Sequence, residues 1–229
     1  MDIFDKKINI YFNVYILSLL IIYLTTFLGL TLIRTENLLF ISIALVILSI
    51  PTYFIAKKIN KSRILPTVLN SVAIGFIISF FYIKNSIDFQ MADAAFPTAI
   101  SITIILITKY ISKYSGHNKW FELMSYSIGI IIIVFSLIKY NNDLSVFYQI
   151  LFLSVIYLSS LIGLLLLKQD DENLWFVLSI MHFLSFLIIF LIVISEGDGL
   201  DGFSSIGSDS NKKKRKKKKE IEYIDFTNL

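Results

Sequence analysis

Cysteine is absent from this sequence of 229 residues, and histidine occurs only twice. The first absence excludes disulfide bonds, thiolate catalysis and cysteine-ligated metals. The two histidines, His117 and His182, lie in different segments, without the cluster of imidazoles and carboxylates that forms a zinc site. The motifs of serine hydrolases, zinc metalloproteases and phosphate-binding loops are also missing. We therefore expect a protein that holds no metal or cofactor and has no enzymatic activity.

Charged residues are scarce as well. They make up 17% of the chain, whereas a soluble domain carries about a quarter. Apolar residues make up 56%, and the mean hydropathy is +0.74. The apolar residues gather into runs of roughly 20, the length that crosses a bilayer as a helix. The composition therefore predicts a multi-pass integral membrane protein, and we expect it in the cell membrane.

The long apolar runs predict about seven transmembrane helices. Helices are required because the runs lack period-two alternation and the backbone must satisfy its own hydrogen bonds within lipid. The predicted fold class is all-α: a polytopic transmembrane helix bundle over residues 1–195, followed by a flexible polybasic tail over 196–229. Short connections make neighbouring helices antiparallel. The predicted spans are 9–33, 38–56, 64–83, 95–112, 121–139, 144–167 and 174–195.

Only three prolines occur in the chain. Pro66 and Pro97 are predicted to lie in the first turn of their helices, where a missing N–H costs little. Pro51 falls inside the second span, where it cannot donate a hydrogen bond to the Ile47 carbonyl and is expected to bend the helix. The bend serves either as a hinge or as an ordinary kink, since proline is common in membrane helices.

The orientation follows from lysine and arginine in the short loops. With seven spans, the segments on the face of the N-terminus carry ten of these residues, and the loops on the other face carry three. The richest loop, 57–63, contains Lys57, Lys58, Lys61 and Arg63. This bias predicts a cytoplasmic N-terminus and an external tail. The eight basic residues of the tail conflict with that orientation, unless one of the predicted spans is re-entrant and the tail lies inside.

The tail begins with a stretch rich in glycine, serine and aspartate, residues 196–211, which is typical of a flexible linker. A basic block follows. It contains almost no arginine and no interleaved aromatic residue, which disfavours nucleic acid. Attachment to an anionic lipid or polymer is the favoured interpretation, and a merely solvated tail is the alternative. The block consists of Lys212, Lys213, Lys214, Arg215, Lys216, Lys217, Lys218 and Lys219.

A few polar residues at membrane depth are candidates for function. His182 lies in the middle of the last span, with Ser179 and Ser185 three residues away on either side. Its imidazole either passes a proton or binds a substrate, since an unperturbed imidazole titrates near neutral pH, or it is simply a neutral side chain bonded to a neighbouring helix. Glu122 begins the fifth span and is either an ion site or, as we favour, a helix-capping acid at the interface.

Other polar residues are typical of helix packing. Ser71, Gly75 and Ser79 recur every four residues in the third span, a pattern that lets helices approach closely. Asn13, Asn70 and Gln149 are expected to form hydrogen bonds across helices. Short loops and packing stripes favour a protein that acts through contacts, as an accessory or immunity-type protein with a membrane-protein partner or a second copy of itself. The alternative is a small secondary transporter or channel that uses His182.

Overall fold

The computed structural model describes residues 3–33, 37–59, 63–114, 119–169 and 174–195. These ranges are almost entirely helical, so the predicted all-α fold class is confirmed. The first helix continues into a π-helical turn over Gly29–Ile33. The helices are α1 Ile3–Leu28, α2 Leu38–Ile59, α3 Leu65–Lys84, α4 Met91–Tyr114, α5 Lys119–Lys139, α6 Leu144–Gln169 and α7 Leu174–Ser195.

Six of these helices are long and apolar enough to cross a membrane, and only α5 contributes a shorter apolar stretch, Tyr126–Lys139. The whole of α5 nevertheless has 21 residues, about 32 Å at 1.5 Å per residue. Its middle residue, Gly129, contacts Ile104 in the middle of α4 and Tyr157 in the middle of α6. Beyond its end, the ring of Tyr140 lies 5.8 Å from that of Phe96 near the start of α4. Thus α5 extends beside two membrane-length helices and runs antiparallel to α4.

Helices α1 and α3 run in the same direction and approach closely. Gly75 of α3 lies against Thr25 of α1, and four residues later in each helix Ser79 lies against Gly29. Two hydrogen bonds join the helices at this point: Thr26 Oγ1 donates to the Gly75 carbonyl at 3.2 Å, and Ser79 Oγ lies 3.0 Å from the Thr26 carbonyl. Small residues allow this approach, which confirms the packing role predicted for Gly75 and Ser79.

Aromatic residues connect α3 to α6. The ring of Phe81 lies 4.7 Å from that of Tyr148 and 5.3 Å from that of Phe152, within the range of favourable ring contacts. Next to this cluster, the Tyr82 hydroxyl donates to the Ser145 carbonyl at 2.6 Å. The compact unit formed by the helices extends to Phe190, and residues 191–195 complete α7.

The prolines correct one predicted boundary. Pro66 lies in the first turn of α3, as predicted. Helix α4, however, begins at Met91 and not near residue 95, so Pro97 lies inside the helix, and its predicted place in the first turn is wrong. Methionine and alanine, which are good helix formers, extend α4 upstream of the proline. Pro51 lies inside α2, which continues as an α-helix through it.

Candidate intramembrane polar site

His182 lies in the interior of the bundle, in α7, and its side chain is fully buried. Its Nδ1 is 2.8 Å from the carbonyl oxygen of Leu178, one turn earlier in the same helix. A carbonyl only accepts hydrogen bonds, so Nδ1 carries the proton and Nε2 is left as the acceptor of a neutral ring. No described residue provides a hydrogen-bond partner for Nε2. The ring therefore presents one unused acceptor inside the membrane-spanning region.

Tyr15 of α1 stacks obliquely on this imidazole. The two ring centroids are 4.6 Å apart, with an angle of 33° between the planes. The Tyr15 hydroxyl is buried and lies near the hydroxyls of Tyr11 and Ser159 without a hydrogen bond to any described residue. Tyr11, in contrast, donates to the carbonyl of Ser160 at 2.7 Å. The two tyrosines therefore differ: one hydroxyl joins α1 to α6, and the other is unpaired.

The two serines beside His182 face different neighbours. Ser185 is buried against α6, where its Oγ lies 2.6 Å from Ser159 Oγ. The backbone carbonyl oxygen of Ser179 lies 3.4 Å from Nδ2 of Asn70 in α3, which is a long contact. Positions three residues apart on a helix are separated by about 60° around its axis. In the predicted stripe on α7, the His182 ring therefore contacts α1 and the Ser185 hydroxyl contacts α6, whereas Ser179 reaches α3 through its backbone carbonyl.

The other candidates lie outside the residues whose side chains the structure describes. Glu122 is the fourth residue of α5, and its side chain lies outside the described residues. The basic block Lys212–Lys219 also lies outside them. Within the described part of the chain, no three histidine, aspartate or glutamate residues are placed to hold a metal ion.

The predicted cross-helix bonds of the amide side chains have different outcomes. Asn13 accepts a hydrogen bond from Lys109 Nζ at 2.8 Å, and Asn70 makes the long contact with the Ser179 carbonyl. Gln149 is fully buried, and neither atom of its amide has a partner in the ranges that the structure covers. The prediction of a cross-helix hydrogen bond for Gln149 is therefore wrong. An unpaired buried amide is costly in any apolar surrounding.

Chemically, the arrangement offers two neighbouring polar groups, an imidazole acceptor and a phenol. Such a pair can bind a polar molecule or relay a proton. Comparisons with protein-family models, with curated proteins and with solved structures find no match for this chain. Its function is therefore inferred from its own residues.

Proposed function

We propose that this multi-pass membrane protein has no enzymatic activity and works through contacts within a membrane complex. It serves either as an accessory subunit or as an immunity-type protein that protects the bilayer. The observation that supports this proposal is the tight packing of the bundle. A methyl group added at any of Gly29, Gly75, Gly129 or Gly163 would overlap a side chain of a neighbouring helix. Helices locked in this way are poorly suited to the rocking that alternating access requires.

If the protein works through contacts with a partner, its functional surface lies on the outer faces of the bundle. Helix α5 has large apolar side chains on its exposed side, among them Ile131 at 65% and Phe135 at 67% exposure. It packs against α4 and α6, so this opposite face meets either lipid or a helix of a partner. A partner helix would bury the same apolar side chains and gain close packing with them.

Purification from native membranes tests the proposal. We expect the tagged full-length chain, extracted in a mild detergent, to retain a membrane protein in fixed stoichiometry. Replacing Ile131 and Phe135 together with alanine should reduce that recovery, whereas the interior substitution Tyr15→Phe should not. Recovery of the chain alone in several detergents would contradict the proposal, and so would a bound protein that is indifferent to both variants.

A small transporter or channel is the second candidate, because the stacked rings of His182 and Tyr15 each carry a buried polar atom without a partner among the described residues. Buried polar groups at membrane depth are costly and frequently mark the paths of protons or solutes. Proton or solute flux into vesicles that contain the purified protein would distinguish this candidate. If it holds, His182→Leu abolishes flux without loss of helix content. Unchanged flux in that variant would exclude a relay through the imidazole.

The basic block of the tail is proposed to bind an anionic lipid or polymer. A peptide covering residues 208–229 should bind anionic vesicles at low salt and lose much of that affinity at physiological salt, because exposed charges are screened. Replacing four of the eight basic residues with glutamine should weaken binding further. Equal binding to neutral vesicles would instead indicate the apolar residues that follow the block.

A further inference from the structure

A groove with a volume of about 240 Å³ lies between α2, α3 and α7. It is open at the side of the bundle, because Phe54 and Phe176 line it and remain 61% and 43% exposed. Helices α2 and α7, which carry these two residues, are both long enough to cross a membrane, so the groove faces the bilayer. Its volume exceeds the roughly 150 Å³ of a cavity that accepts a benzene ring. A compact molecule dissolved in the membrane can therefore enter it sideways.

Aromatic rings form the wall of the groove. Tyr53 and Phe54 of α2 and Phe176 and Phe183 of α7 all line it. The Tyr53 ring lies 5.7 Å from that of Phe176 and 5.5 Å from that of Phe54, in tilted and edge-on geometries. Rings in such arrangements offer faces and edges to a further ring at favourable distances. The wall is suited to a flat aromatic molecule.

Asn70 adds one polar contact to this apolar wall. It lines the groove, and only 1% of its surface is exposed. Its Nδ2 is directed to the Ser179 carbonyl, whereas its Oδ1 has no hydrogen-bond partner among the described residues. The nearby Ser49 hydroxyl already donates to the Val46 carbonyl at 2.7 Å. Asn70 therefore brings an unused acceptor to the inner wall of the groove. A ligand whose hydroxyl displaces the side chains that cover Oδ1 would satisfy it.

We propose that this groove binds the ring of a membrane-dissolved phenol or quinol, whose hydroxyl group donates to Asn70 Oδ1. The ring lies among Tyr53, Phe54 and Phe176. A lipid acyl chain fits the apolar wall but leaves Oδ1 unpaired. The backbone N–H groups of a partner helix are already used within that helix, so it too would leave Oδ1 unpaired unless a polar side chain reached it. This binding is independent of the contact function proposed above.

Two probes with the same ring test the proposal on the full chain with its groove residues unchanged. They are 1-naphthol, which can donate a hydrogen bond, and 1-methoxynaphthalene, which cannot. The full chain is placed in phosphatidylcholine nanodiscs with the background substitution Trp120→Phe, which leaves Trp175, the neighbour of Phe176, as the only tryptophan. Quenching of its fluorescence, corrected for probe absorption and for partition into empty nanodiscs, reports binding. We expect naphthol to bind about tenfold more tightly, the factor that one hydrogen bond to a buried acceptor provides.

Variants assign the preference to residues. Asn70→Leu should remove the difference between the two probes. Phe54→Ala should weaken both, whereas Phe40→Ala, an exposed phenylalanine of α2 that does not line the groove, should change neither. Circular dichroism checks that each variant keeps its helix content.

Several outcomes would overturn the proposal. Equal binding of both probes to the chain with an unchanged groove would identify a purely apolar groove, as for an acyl chain. A preference for naphthol that survives in Asn70→Leu would place the donor contact elsewhere. Absence of quenching by either probe would show that no ring enters the groove. The first and third outcomes require no substitution in the groove, so the test remains decisive even if Asn70→Leu does not fold.

Discussion

The contact between α1 and α3 allows a quantitative prediction for Gly75→Ala. The added Cβ would overlap Thr25 Oγ1 and would lie 2.8 Å from Thr25 Cβ and 2.9 Å from the carbonyl oxygen of Ile22. Since that oxygen belongs to the backbone, restoring a normal contact near 3.4 Å requires the helices to separate by about 0.5 Å. The hydrogen bond from Thr26 Oγ1 to the Gly75 carbonyl, now 3.2 Å long, would then be too long to form.

The size of the effect follows from three contributions. Overpacking a close contact typically costs about 1–3 kcal/mol, and each interhelical hydrogen bond in a membrane contributes about 0.6 kcal/mol. Alanine is a better helix former than glycine, and this difference alone stabilises the variant by about 1 kcal/mol. We therefore expect the free energy of unfolding to fall by about 0.6–2.6 kcal/mol when the bond from Thr26 to the Gly75 carbonyl is lost.

Titration of the purified protein with sodium dodecyl sulfate in mixed micelles, followed by circular dichroism, measures this change. Ala44→Leu is the matched control, because Ala44 is exposed on α2 and the added carbons meet no neighbouring helix. The control should unfold within about 0.5 kcal/mol of the native chain. If Gly75→Ala is as stable as the native chain and the control, the close approach of α1 and α3 is refuted.

Three other substitutions can be measured in the same assay. Tyr11→Phe should destabilise the protein by about 1 kcal/mol because it removes the bond to the Ser160 carbonyl, whereas Tyr15→Phe, which removes an unpaired hydroxyl, should be neutral or stabilising. Tyr82→Phe should cost a similar 1 kcal/mol through loss of its 2.6 Å bond to the Ser145 carbonyl; no change would mean that this bond contributes nothing. Gln149→Leu should stabilise the protein by about 1–2 kcal/mol, because the buried amide lacks partners; destabilisation would reveal a partner or a bound ligand.

The helices could be predicted from the sequence because membrane spans depend on local properties, length and hydropathy. All seven predicted spans lie within or nearly within observed helices. The start of α4 was misplaced because a proline inside a helix and a proline in its first turn give the same local pattern. Residues 91–96 contain good helix formers, and the structure shows that α4 begins at Met91, upstream of the proline.

The site was only partly predictable. His182 is conspicuous in the sequence because an imidazole within an apolar run is unusual. Its neighbour Tyr15 is not, because tyrosine is frequent near membrane interfaces and no spacing rule pairs the first helix with the last. The groove around Asn70 depends in the same way on which helices are adjacent. Hydropathy does not specify adjacency, since lipid is as apolar as the helix faces it covers.

The predicted orientation, with the tail on the outer face, requires that the chain cross the bilayer seven times. Whether it does so depends on α5, the helix with the shorter apolar stretch. Because the chain contains no cysteine, a single introduced cysteine is a unique target for a membrane-impermeant maleimide in intact cells. Asn118→Cys precedes α5 and Asn142→Cys follows it, with Lys61→Cys and Asn211→Cys as references for the basic loop and the tail. We expect labelling at positions 142 and 211 and protection at 61 and 118. Equal labelling at 118 and 142 would show that α5 does not cross the membrane and would contradict the seven-helix topology.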